Sequence, residues 1–212
     1  MISDKEFKNK IQIIQNKLKI ELFDEVIFEA KTLLKKKKHE VLYNIISLAF
    51  QSKNEYENSI QIMKEALKIN PSNIFFLNNL AISHHKNGDL SNAEKYFNRA
   101  MEINPHYINV LNNFANLKKD LDQVEDAIKL YEKSIKIKSD ISITNYNLAS
   151  MYLGVGKYED ALKYFKNTLK IDPKFTAADR TISLISKYTK DNKHFFEMME
   201  KLNNLDLNDS QK

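Results

Sequence analysis

The stretch FLNNLAISHHKNGD, residues 76–89, sets Asn78, Asn79, His84 and His85 into an otherwise apolar pattern. Paired imidazoles could bind a metal or move a proton, and paired amides offer donors and acceptors together. A helical metal pair, however, needs histidines at i and i+4 with a third ligand in reach. Neighbouring helix residues diverge by about 100°, so His84 and His85 do not share an ion. His39, His106 and His194 are scattered, with no carboxylate at ligand spacing, and the absence of Cys removes thiolate ligands and nucleophiles. The acid pairs Glu125-Asp126 and Glu159-Asp160 open amphipathic segments on the outside, without the burial that tunes a general acid. Gly154-Val155-Gly156 is too short to cradle a phosphate. The residues therefore predict a non-enzymatic protein with no metal and no cofactor.

The elements that carry these residues follow from composition and period. Three Gly and three Pro in 212 residues are too few for the turns of a sheet protein, so the chain is expected to be all-α. Ala81, Ala115 and Ala149 recur every 34 residues, as do Ala93, Ala127 and Ala161. Leu80, Phe114 and Leu148 keep the same step, and so do Phe97, Tyr131 and Phe165. Pro71 and Pro105 are one period apart, Pro173 two further on, and Gly88 and Gly156 two apart. One period reads as helix, turn at Asn87-Gly88-Asp89, second helix, and a stop at Pro105. Glu57, Glu125 and Glu159 fall in the first turn of the second helix, where the dipole favours them.

These columns resemble the tetratricopeptide repeat, a helix–turn–helix unit of 34 residues. Four repeats start near residues 40, 74, 108 and 142 and cover residues 40–173. The small residue of position 8 is Ser47, Ala81, Ala115 and Ala149; that of position 20 is Ser59, Ala93, Ala127 and Ala161. Position 27 is Ala66, Ala100, Ser134 and Thr168. The resemblance implies a right-handed superhelical solenoid of antiparallel helix pairs. Residues 1–39 are expected to form a degenerate first repeat or cap, with Val26 at the Ala position. Residues 174–212 are expected to add a capping helix pair, with the apolar stripe Ile182, Ile185, Phe195, Met199 and Leu202, and a polar tail.

In this family positions 2, 5, 6, 9, 12 and 13 of the first helix line the concave groove. Position 6 is Asn79, Asn113 and Asn147, position 5 adds Asn78 and Asn112, position 2 Asn109, and position 9 Asn116. His85, Lys119 and Tyr146 occupy other groove positions, whereas His84 sits at position 11 on the packed side. Successive position-6 amides would lie about 10 Å apart, the helix-packing distance. About three residues of extended chain span the same length. The row resembles the asparagine ladder of the helical-repeat region of O-linked N-acetylglucosamine transferases. It implies binding of an extended polypeptide through its main chain, with little sequence preference. The carboxylate clamp of chaperone-binding repeats needs Lys or Arg where this chain has Asn44, Asn78, Asn79, Asn109, Asn112 and Asn113.

An alternative is the substrate-recruiting repeat region of a larger sulfotransferase- or glycosyltransferase-type enzyme. The tail from Asp179 to Lys212 resembles the helices that follow the repeats in bacterial sulfotransferase proteins, but no nucleotide-binding loop accompanies it. The net charge of +5 arises mainly in residues 1–38, which hold ten Lys against six acids. Only Arg99 and Arg180 are arginines, so a nucleic-acid face is not expected. The run Lys35–Lys38 closes a helix, where cations complement the dipole. No segment approaches the roughly 20 apolar residues of a membrane span, and the first residues carry no signal-peptide pattern, so a cytoplasmic location is expected. The expected partner is a protein or peptide; its identity and the oligomeric state are not written in any residue pattern.

Overall fold

A computed structural model describes residues 3–186 and 193–204. Among these residues all regular structure is helical. The helices are α1 (Asp4–Lys19), α2 (Phe23–Lys36), α3 (Glu40–Ser52), α4 (Tyr56–Ile69), α5 (Ile74–Lys86) and α6 (Leu90–Ile103). They continue as α7 (Ile108–Asp120), α8 (Val124–Ile137), α9 (Ser142–Gly154), α10 (Tyr158–Ile171), α11 (Thr176–Ile185) and α12 (Lys193–Asn204). The chain forms two compact units, residues 1–113 and 114–212, whose boundary falls inside α7.

The turn between the helices of a pair is built the same way from α1–α2 to α9–α10. Gly88 and Gly156 have φ of +81° and +75°, the left-handed conformation expected of a turn glycine. Asn54 and Asp122, one period from these, adopt φ of 59°, and Glu21, 33 residues before Asn54, adopts 62°. Asn and Asp enter this region with less strain than other L residues. Glu21 has no such excuse. Helix starts are fixed by Asn73, which accepts from the N–H groups of Phe75 and Phe76, and by Asp89, which accepts from that of Asn92.

Small residues then let the backbones close. The residues at positions 8, 20 and 27, alanine in most repeats and Ser or Thr in the rest, are all 0% exposed from Ser47 to Thr168. In the first unit Val26, Leu42, Ile46, Met63 and Leu80 fill the space around them. In the second unit Tyr131, Leu148, Phe165 and Ile182 do the same. The consensus alanines replaced by Ser47 and Ser59 put hydroxyls in the core, and the structure satisfies them. Ser47 Oγ lies 2.7 Å from Ser59 Oγ, which lies 2.8 Å from Ser83 Oγ; Gln51 Nε2 donates to that last hydroxyl.

The C-terminal pair departs from the expected apolar cap. Ile182 is buried, but Phe195, Met199 and Leu202 are 46%, 44% and 47% exposed. Polar contacts hold α12 to α11 instead. Asp179, only 5% exposed, is met by His194 Nε2 at 3.0 Å and by Lys201 Nζ at 2.9 Å on both carboxylate oxygens. His194 thus does have a carboxylate partner, contrary to its isolation in sequence, on a residue 15 positions earlier in the chain. The polar tail of residues 205–212 lies outside the described residues.

Candidate peptide-binding face

The first helices of the pairs position the asparagines, because position 5 and position 6 precede the small residue of position 8 by less than one turn. In the first unit these amides meet one another. Asn79 Nδ2 donates to Asn44 Oδ1 at 3.2 Å, and Asn113 Nδ2 donates to Asn78 Oδ1 at 3.1 Å. Both pairs join residues 35 apart, so a position-6 amide reaches back to the position-5 amide of the preceding repeat. The backbone carbonyl of Asn79 is capped as well, accepting from Gln51 Nε2 and Ser83 Oγ. Such contacts fix which edge of each amide is donor and which acceptor. Asn79 and Asn113 are half-buried and present their own Oδ1 away from the bond made by Nδ2.

Asn78 was expected to face the groove. It is 7% exposed and acts as the support for Asn113. Asn112 is half-buried, with an Oδ1 that is buried and has no hydrogen-bond partner among the described residues. Asn109 is exposed, with Tyr107 Oη 3.5 Å from its Nδ2. His85 is half-buried at the end of α5. His84 is buried, as position 11 implies: it stacks on Tyr96 at 5.5 Å and its Nδ1 lies 3.0 Å from Asp89 Oδ2. Burial lowers the His84 pKa more than the neighbouring Asp89 carboxylate raises it. A neutral ring is therefore favoured, with Nε2 buried and unpartnered. No cluster of three or more metal-ligating side chains occurs among the described residues.

In the second unit one buried phenol organises the face. Tyr131 Oη donates to Asn116 Oδ1 at 2.6 Å. Asn147 also hydrogen-bonds that hydroxyl, but burial dominates and drives the Tyr131 pKa well above its ordinary range. Asn116 and Asn147 are thus drawn to one point by a residue whose periodicity marks it as core. Tyr146 packs between Phe165 and Phe175, with ring centroids 5.5 and 4.9 Å away, so most of its ring serves packing. Lys119 is exposed, 3.6 Å from Asp120.

Asn44, Gln51 and Tyr131 were missed as members of the face by residue type. Asn44 was nevertheless legible: Asn44, Asn78 and Asn112 form a second 34-residue column, one residue before Asn79, Asn113 and Asn147. Two columns offset by one residue carry the i, i+35 pairing directly.

Sequence profiles described as tetratricopeptide repeat match residues 41–73, 72–140 and 143–175, together more than half of the chain. No curated protein matches the sequence. Among solved structures, pilF of Pseudomonas aeruginosa is similar with a TM-score of 0.76 at 14% identity, over 95% of this chain and 93% of that one. A thermophilic repeat protein of Thermus thermophilus gives 0.71 at 14%, over 84% and 97%. YrrB, described as a repeat protein with an unusual peptide-binding site, gives 0.61 at 15%, over 82% and 90%. At these identities the likeness is one of fold.

Proposed function

The chain belongs to the tetratricopeptide repeat family, and we propose that it is a non-catalytic interaction module that holds an extended polypeptide by its main chain. The observation that supports this reading is the pairing of amides in the first unit. Asn79 and Asn113 each use one Nδ2 hydrogen on a neighbouring amide, so their orientation is set before a ligand arrives. Each keeps an Oδ1 acceptor and a second N–H, the two functions a peptide group requires. Pre-set side chains lose less rotamer freedom on binding, of the order of 0.5–1.5 kcal/mol for each side chain that is otherwise immobilised. Asn147, in the second unit, has its own hydrogen bond to the buried Tyr131 hydroxyl.

Main-chain recognition has a signature that side-chain recognition lacks. Peptides selected from a displayed random library on the intact chain should tolerate alanine scanning. N-methylation of their backbone should weaken them. The triple change Asn79→Ala, Asn113→Ala and Asn147→Ala should lower affinity by tenfold or more in fluorescence anisotropy, with circular dichroism confirming the fold. Selected peptides that bind the triple variant as well as the parent would refute the amide face.

A further inference from the structure

In the first unit the second helices of the pairs take no part in that reading. Between α2 and α4, over α3, the first unit opens a cleft of about 520 Å3. Its floor is apolar, formed by Leu34, Tyr43, Phe50 and Ile62. Its rim is cationic: Lys31, Lys35, Lys38 and Lys68 are all exposed, and Glu65 is the one acid among the described lining residues. No described acid pairs with any of the four, although Lys31 Nζ stands 4.9 Å from the Phe50 ring centroid. One period further on the equivalent positions hold a stacked pair of rings. There Tyr96 takes the place of Ile62 and lies stacked on His84, which takes the place of Phe50. The shorter Ile62 leaves the cleft open.

We propose that this cleft docks an acidic amphipathic helix of a partner protein. The α4 residues that line it run from Asn58 to Ile69 along one helical stripe, about 16 Å at 1.5 Å per residue. That length matches three turns of an incoming helix, whose apolar side chains at i, i+3 or i+4, and i+7 would enter the floor. An extended segment would lay its N–H and C=O groups over apolar side chains, where they lack partners; a helix satisfies its own. Lysines on both walls select Asp and Glu on the flanks of that helix and repel a basic one. The proposal does not rest on the asparagine face, none of whose residues lines the cleft.

The test uses the full chain and a fluorescein-labelled helical peptide of about 18 residues, with leucines at helical spacing and glutamates elsewhere. Saturable binding is expected, weakening as salt rises. The double change Lys35→Glu and Lys68→Glu, and separately Ile62→Tyr, should each reduce affinity about tenfold or more. Circular dichroism should show unchanged helix content in both. A control peptide with lysines in place of the glutamates should not bind, and the Asn79→Ala, Asn113→Ala chain should bind the acidic peptide like the parent. The proposal is overturned by absence of saturable binding or by equal binding of the lysine peptide. It is equally overturned by retention of affinity in both cleft variants, by capture of phosphatidylglycerol vesicles without the peptide, or by a dimer that the lysine reversals dissolve.

Discussion

Replacing Asn113 by Ala removes the donor that satisfies Asn78 Oδ1, an acceptor on a side chain only 7% exposed. A neutral hydrogen bond contributes about 0.5–1.5 kcal/mol net, and an orphaned buried partner costs about 1–3 kcal/mol. Asn113 is itself half-buried, so the space it leaves can admit water, which places the expected loss at about 1–2 kcal/mol. For a chain of this length that corresponds to a fall in Tm of roughly 2–8 °C. Urea unfolding with constant m, read by circular dichroism, measures it. Asn109→Ala, at an exposed site, is the control and should stay within about 0.5 kcal/mol. The decisive quantity is the coupling in a cycle with Asn78→Ala, expected at about 0.5–1.5 kcal/mol. Coupling within error of zero, or an Asn113→Ala loss no larger than that of the control, would refute the paired-amide geometry.

Other contacts in the fold have equally measurable consequences. Glu21 holds φ 62° where other turns use Gly, Asn or Asp, so Glu21→Gly should raise stability by about 0.5–1 kcal/mol in urea unfolding. The Ser134 hydroxyl is buried without a partner among the described residues, at a position that is Ala in two of the other three repeats; Ser134→Ala should stabilise by about 1 kcal/mol. The His84 pKa is lowered in the folded state, so unfolded chains bind that proton more readily. Its contribution is fully present above the unfolded value near 6.5 and is lost as pH falls towards the folded value. Tm measured from pH 7.5 to 5 should therefore decline more for the parent than for His84→Tyr. Lys201→Met leaves Asp179 with one partner fewer; amide exchange in α12 should accelerate about tenfold, and unchanged rates would contradict the polar docking of that helix.

The repeat architecture was legible in the residues because its requirement is local and periodic. Ala81, Ala115 and Ala149 mark places where two backbones touch, and only a small side chain fits there. Ser47 and Ser59 obeyed the same size rule, but their hydroxyls meet each other and that of Ser59 meets Ser83 from the next repeat, contacts that no residue type announces. The expected stripe on α12 failed for a related reason. Phe195, Met199 and Leu202 have helical spacing, yet the docking of α12 is set by the buried Asp179, which pairs with His194 and Lys201.

The sequence by itself determined the helix pairs, the small-residue contacts and the two asparagine columns, since each follows from a period of 34 counted along the chain. Tertiary structure decided which amides face outward and which serve as supports. Asn78 and Asn79 are identical in type and adjacent, but a helix turns about 100° between them. One is thereby sent inward to hold Asn113, and the other is left half-exposed with an acceptor to offer.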